Sequence, residues 1–343
     1  MSAELLSCFL VERLSPQTGT TMHAPHFKKW FAKLPALNLP QRLQTLAALH
    51  PAAGLDQVIV LIGQIGATQR RCPSCACEPY YRHGQANGLQ RYRCHACSRT
   101  YNDLSGTPLA RLRLREKWLD YLGTILDSKS VRAAASEIGV HRNTAFRWRH
   151  RFLERPRHAQ PRRLGGIAEA DEMFMLESQK GARKLDRPAR QRGGRAGKRG
   201  ISRELDCILV ARDRSGQTVD AVVGRGALTA AQLERHLLPR LDRQVLLVSD
   251  AHAAYRSFAR KHGIAHQAVN LRAGVRVRRG LAGAIHVQNV NAYHQRFRQW
   301  LSRFRGVASR YLPNYLGWRR ALDGGRIRTV EQLLRLVFGV IHS

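Results

Sequence analysis

Val245-Leu-Leu-Val-Ser-Asp250 is an apolar run that ends on a carboxylate. A strand buried on both faces reads this way, and open α/β sheets place their sites at the C-terminal edge of such strands. Working outward, Ala168-Glu-Ala-Asp-Glu-Met-Phe-Met175 predicts a strand with Asp171 on the face of Glu169 and Met173, and Glu172 on the other. Leu205–Arg212 and Thr218–Val223, separated by turn residues 213–217, predict an antiparallel hairpin, and a helix is expected over about Thr229–Leu241. Strands and helices mix from Ile167 onward, which predicts an α/β domain over residues 165–320, with a C-terminal helix in 321–343. Either aspartate alone reads as a cap or turn residue. At the ends of adjacent central strands, however, two carboxylates can bridge two Mg²⁺ ions. Such ions activate the attacking oxygen and stabilise the leaving oxygen of a phosphodiester.

The charge points the same way. The chain of 343 residues carries 58 Lys+Arg against 24 Asp+Glu, a formal net charge of +34. Self-repulsion at that excess opposes a compact fold unless a polyanion neutralises it, so nucleic acid is the expected partner and its binding should weaken steeply with salt. A hydrophobic share of 43% argues for a folded chain rather than a disordered one. No apolar stretch approaches the 18 or so residues of a membrane span. Residues 1–21 lack the order of features of a signal peptide and read as a disordered tail or an upstream start. The odd number of cysteines, seven, suits a reducing cytoplasm better than a disulfide framework.

Four cysteines fall in two close pairs. Cys72-Pro-Ser-Cys75 and Cys94-His-Ala-Cys97 match the spacing of a structural zinc ribbon, assigned to residues 67–104, with strands expected at Tyr80–His83 and Gln90–Arg93. A module this small gains its stability from the ion, about 10–16 kcal/mol in comparable zinc peptides. Cys77, His83 and His95 are spare donors nearby. Ahead of it, residues 1–66 form a helical segment, read as short helices broken by Pro35, Pro40 and Pro51.

Residues 105–158 read as a helix-turn-helix. Ser130 caps a first helix to Ile138, Gly139 allows the turn, and a second helix runs from about Arg142 to Leu153. Ala145, Trp148 and Phe152 form its buried stripe, which leaves Asn143, Arg147 and His150 outward, flanked by Arg142 and Arg151. Asn and Arg pair bidentately with adenine and guanine edges, so Asn143 and Arg147 are the candidate base contacts, with Arg149 and Arg151 at phosphates. A Pro- and Arg-rich stretch, residues 154–163, reads as a linker to the α/β domain.

Asp171-Glu-Met-Phe-Met-Leu-Glu-Ser-Gln-Lys-Gly181, Arg192-Gly-Gly-Arg-Ala-Gly-Lys-Arg199, Val248-Ser-Asp250 and His286-Val-Gln-Asn-Val-Asn291 resemble bacterial insertion-sequence transposases. The similarity is to the subfamily with an N-terminal zinc ribbon and a DDE-type catalytic domain, and it spans about residues 25–335. It implies an RNase H-like core with a five-stranded mixed sheet, Asp171 on the first strand and Asp250 after the fourth. The third acidic position, normally Glu on a helix, corresponds to Asn291, as in a known branch of these enzymes. A helix over about Gln288–Phe304 would align Asn291 with His294 and with Arg298, which matches the family's Lys/Arg. An amide oxygen can bind Mg²⁺ or Mn²⁺, but it brings no charge. Between the first two strands, Lys180–Arg203 holds ten Lys/Arg against one acid, Asp186, and Arg192, Arg195, Lys198 and Arg199 are its candidate phosphate contacts. Trp300, Trp318 and Phe304 are expected in the core. The resemblance implies binding of terminal inverted repeats, metal-dependent cleavage and 3′-hydroxyl joining to target DNA, by a dimer or larger assembly in the nucleoid. Two other readings stay open here: a nuclease of the same fold that cuts without joining, and an inactive copy that only binds DNA.

Overall fold

The computed structural model describes residues 23–191, 193–269, 277–280 and 283–339, in two compact units that meet at Ala53/Gly54. Residues 1–22, which include the expected tail, and Arg192 lie outside the described residues. The N-terminal unit holds helix α1 (Ala24–Phe31), a short 3₁₀ turn and the start of α2 (Leu39–Ala67). Asn38 and Gln41 cap α2 reciprocally, each side-chain oxygen accepting the other's backbone N–H at 3.0 Å. Pro35 and Pro40 sit in first turns, where no backbone donor is needed. Pro51 was expected to end a helix, yet α2 is continuous across it. The long apolar run that follows outweighs the single bond a proline removes: Val58, Leu61, Ile62 and Ile65 are all buried.

The larger unit takes in the rest of α2 and then a three-stranded sheet of β1 (Tyr80–Ala86), β2 (Leu89–Cys94) and β3 (Thr100–Asn102). Helices α3 (Trp118–Leu126), α4 (Val131–Ile138) and α5 (Arg142–Phe152) follow. Ser130 accepts the Ala133 N–H as N-cap, and Gly139 ends α4 in the left-handed region at φ 64°, where a side chain would be strained.

Next come β4 (Ile167–Leu176), β5 (Leu205–Asp213), β6 (Thr218–Arg225), α6 (Ala230–His236), β7 (Leu246–Asp250), α7 (Ala253–His262) and β8 (Ala265–Val269). The five long strands form one mixed sheet in the order β6-β5-β4-β7-β8, with β4–β5 and β5–β6 antiparallel and β4–β7 and β7–β8 parallel. This sheet fits an RNase H-like domain. A small ribbon, β9 (Arg278–Gly280) with β10 (Gly283–Ile285), leads into α8 (Gln288–Ser302), α9 (Leu312–Asp323) and α10 (Val330–Phe338). Expected α6 is shorter than the sequence suggested because Pro239 turns its end into a 3₁₀ helix.

Alternation along β4 divides the core in two. Ala168, Ala170 and Phe174 pack with Leu233, Tyr255 and Phe258 of α6 and α7. Met173, with Ile167 and Met175, faces Val290, Tyr293 and Phe297 of α8. That second cluster is continuous with Trp118, Tyr121, Trp148 and Phe152 of the helices before the sheet, and with Trp300 and Trp318. The stretch read as a linker is therefore docked, not free. Arg320, 4% exposed, donates to the carbonyls of Pro156, Arg157 and Ala159 and pairs with Asp220. Gly317 permits the contact, since a Cβ there would stand 2.4 Å from the Arg157 Cα. The expected boundary at residue 320 falls inside α9. Among the described residues, no helix is long and apolar enough to cross a membrane.

Candidate active site

Strand pairing brings the two aspartates side by side. β4 and β7 run parallel from Ile167–Leu246 to Ala170–Ser249, so Asp171 and Asp250 are the next positions on each strand. Alternation turns both toward the α8 side of the sheet, as Val248 and Met173 already are. Asp250 Oδ1 accepts the His252 N–H at 3.0 Å, which fixes its carboxylate at the turn into α7. Burial pushes the Asp171 carboxyl up to about 7, and the charges of Glu172 and Asp250 push in the same direction, opposed by Arg298. Glu172 is turned to the opposite face, where the buried Tyr255 hydroxyl donates to it at 3.0 Å. It too is raised, by burial and then by Asp250.

Helix α8 closes over this edge. His294 is 5% exposed, and its Nδ1 lies 3.6 Å from Asp171 Oδ2. Burial first, then the neighbouring Arg298, lowers His294 to about 4, so it stands neutral beside the carboxylate at pH 7. Asn291 is exposed one turn before His294, and Arg298 is exposed one turn after it. The helix thus carries the three side chains along one stripe, at the spacing the sequence predicts.

The sequence reading gave Glu169 no role, and the structure gives it a large one. Its side chain has no exposure, and its oxygens accept from Asn289 N (2.7 Å), Val290 N (3.1 Å) and Asn289 Nδ2 (2.9 Å). Arg214 Nη1 at 3.0 Å and His286 Nδ1 at 3.3 Å complete the shell. The first-turn N–H groups of α8 have no cap from Val287, so a carboxylate two residues from Asp171 fills that place. The signal was present: a Glu between two alanines in a strand buried on both sides demands a charged or N–H partner.

The four cysteines of the two pairs converge, with their sulfurs within 4.8 Å of one another. Cys72 Sγ lies 3.5 Å from Cys97 Sγ, and Cys75 Sγ lies 3.6 Å from Cys94 Sγ. Burial pushes the Cys72 thiol up, but the N–H groups of Ser74 and Cys75 outweigh it and bring it down to about 6. The Cys77 N–H favours the Cys75 thiolate, but burial and the neighbouring cysteines outweigh it and push that thiol up, as expected where several thiols crowd one point. Close approach and four soft donors fit one tetrahedral metal ion. The cluster is compatible with a zinc ribbon. Cys77, His83 and His95 are outside it.

On α5, Arg142, Asn143 and Arg147 are exposed, and Arg151 is half-buried with one nitrogen on the Ala110 carbonyl. His150 is packed instead against the following domain: it stacks on Tyr311 at 3.7 Å, and Asn314 Nδ2 lies 3.1 Å from its Nδ1. Burial, with Arg149 and Arg310 nearby, lowers it to about 4. Arg149, expected at phosphates, is fully buried over Trp318 and Phe304 and donates to the Lys129 carbonyl. Exposed Phe146, between these residues, was overlooked in the sequence. The 180–203 segment is irregular, yet Arg187 and Arg190 pin it to the buried Glu177. Arg195, Lys198 and Arg199 remain exposed.

The ISXO2-like transposase domain family matches residues 163–319, the span that holds this sheet and α8. An uncharacterized protein in transposable element ISH50 of Halobacterium salinarum is 32% identical over 248 residues, covering 71% of this chain and 82% of that protein. The chain belongs to the ISXO2-like family of DDE-type insertion-sequence transposases. Among solved structures, a pre-cleavage Mos1 transpososome overlaps 65% of this chain and 78% of its own at 14% identity and a TM-score of 0.20. A Mos1 strand transfer complex overlaps 60% and 77% at 18% identity and a TM-score of 0.19. Overlap that slight carries nothing over to this chain.

Proposed function

We propose that the chain binds the terminal inverted repeats of an insertion sequence, cleaves DNA there, and joins the released 3′-hydroxyl to target DNA. The observation that carries this reading is the placing of Asp171 and Asp250 side by side on the central strands β4 and β7, with the Asp171 carboxyl pushed up to about 7 by burial and by its acidic neighbours. A crowded, partly desolvated carboxylate pair is a site whose strain a divalent cation relieves. We assign two Mg²⁺ or Mn²⁺ ions to this site, with Asp171 and Asp250 as charged ligands and Asn291 offering an amide oxygen. Ions bound there would supply Lewis-acid activation of the phosphodiester. Neutral His294 orients the Asp171 carboxylate without competing for the cation, and Arg298 lies where a phosphate would gain from its charge.

The four-cysteine cluster takes a structural Zn²⁺. Helices α4 and α5 act as the helix-turn-helix, with Asn143 and Arg147 reading bases and Arg142 and Arg151 at the backbone. His150 would contribute by holding α5 in place rather than by touching DNA. Arg195, Lys198 and Arg199 meet further phosphates, with Arg192 the remaining candidate of that run. Two chains would bring two ends together.

The test is a plasmid that carries the DNA flanking the coding region, incubated with protein and Mg²⁺ or Mn²⁺. Wild type should nick at the ends and, given precleaved ends, yield joined products. Asp171→Asn and Asp250→Asn should each lose well over the 10–100-fold typical of groups one shell away from a metal, while DNA binding survives. Cleavage that persists in both variants sinks the assignment, and cleavage without joined products leaves a nuclease.

A further inference from the structure

Three clefts join along the face of α5 and continue toward the end of β4. The first follows the exposed side of α5, past Arg147 and Arg151. The second, about 780 Å³, lies between α4–α5 and the turn at residues 303–311, and shares Asn143, Phe146, Arg310 and Tyr311 with the first. The third, about 790 Å³, shares Lys180, Gly181, Arg305 and Gly306 with the second and reaches Leu176, the last residue of β4.

The middle cleft is distinctive in charge. Arg132, Arg142, Lys180, Arg303, Arg305 and Arg310 line it, and no Asp or Glu does among the described residues. Elsewhere arginines converge on acids: Arg187, Arg190 and Arg225 on Glu177, and Arg212, Arg296 and Arg319 on Asp323. A row of cations without counter-charges costs self-repulsion that only an external anion offsets. The walls are also held in place. His150 stacks on Tyr311, Trp300 donates to Ser128 at 2.9 Å, and Lys180 Nζ donates to the carbonyls of Arg305 and Gly306 at 3.0 Å each. α5 and the turn therefore belong to one body, joined through the shared core.

We propose that this cleft is a docking surface for the sugar–phosphate backbone of duplex DNA, and that it bridges α5 and the carboxylate edge within a single chain. From Asp171 to Leu176 is five residues of strand, about 17 Å, or about five base pairs of duplex. That stretch separates Asp171 from the end of the third cleft at Leu176, so DNA seated in the clefts would run from α5 toward the carboxylates. The identity of that DNA segment rests on the transposase reading above; the binding itself requires neither metal nor cleavage.

The experiment measures binding of the full chain to a fluorescent 40-base-pair duplex of arbitrary sequence, in buffer without added Mg²⁺ or Mn²⁺ and without chelator, across a KCl series. Arg303→Ala/Arg310→Ala removes two exposed cleft charges. Arg235→Ala/Arg260→Ala removes two exposed charges from α6 and α7, across the sheet. The cleft pair should lower the slope of log K against log salt by about 2, and the control pair by well under 1. Thermal melting checks that both variants fold. Equal losses in the two pairs, or no loss in the cleft pair, overturns the proposal and leaves the cleavage reading untouched. A slope difference with a wild type that never cuts keeps the cleft and removes the transposase chemistry.

Discussion

Removing the Asp171 charge should stabilise the metal-free protein while it destroys activity. Burial, Glu172 and Asp250 raise this carboxyl from 3.8 to about 7, so the folded state holds its proton more tightly than the unfolded chain does. The sign follows from linkage. Stability is unaffected below about pH 3.8, falls as pH rises between the two values, and has lost its full share above about 7. At about 1.4 kcal/mol for each factor of ten, the full loss is about 4 kcal/mol, with about 2 of it falling between pH 5.5 and 7. Asp171→Asn keeps the shape and removes the charge. Its advantage over wild type without added Mg²⁺ or Mn²⁺ should therefore be about 2 kcal/mol at pH 5.5 and about 4 kcal/mol at pH 8, read from urea midpoints at each pH. Added Mg²⁺ should narrow the gap at pH 8 by stabilising wild type only, by about 2.7 kcal/mol at a hundred times its dissociation constant. A variant no more stable than wild type at pH 8, or a gap that does not widen from 5.5 to 8, would refute the charge-crowding argument and with it the reason to place cations here.

Three other outcomes follow from the same contacts. Glu169→Gln removes the buried charge that Arg214 and the first turn of α8 share, so urea unfolding should show a loss of about 1–3 kcal/mol; Mn²⁺-dependent cleavage should fall 10–100-fold, with DNA affinity unchanged. Asn291→Ala should weaken Mg²⁺ dependence of cleavage while Asn291→Glu restores or tightens it, measured as the half-saturating metal concentration; no change in either removes Asn291 from the site. Cys72→Ser, or a strong zinc chelator, should release one zinc per chain and open the β1–β3 module to protease, with wild-type resistance after chelation as the contrary result.

The parts of the fold that depend on local pattern were legible in the sequence, and the parts that depend on distant partners were not. The run ending at Asp250, the alternation around Asp171 and the hairpin of β5 and β6 each follow from side-chain period alone, and each strand lies within a residue or two of its expected bounds. The cysteine spacing likewise specifies its own convergence. The docking of residues 154–163 was not legible, because proline and arginine content says nothing about Arg320 and Gly317, more than 150 positions later, which contact that backbone. His150 and Arg149 read as an outward basic face, since nothing in α5 itself reveals Tyr311, Asn314 or Trp318. Glu169 is the instructive case. Its partners on α8 lie 120 residues or more away, and they make it the residue that sets where α8 begins. The register of α8 then decides whether Asn291, His294 and Arg298 face Asp171 or turn aside. On the proposed reading, a site with an uncharged third position would hold its cations less strongly than three carboxylates would. It therefore depends more on the geometry that Glu169 imposes, and this couples the departure at position 291 to the buried charge at position 169.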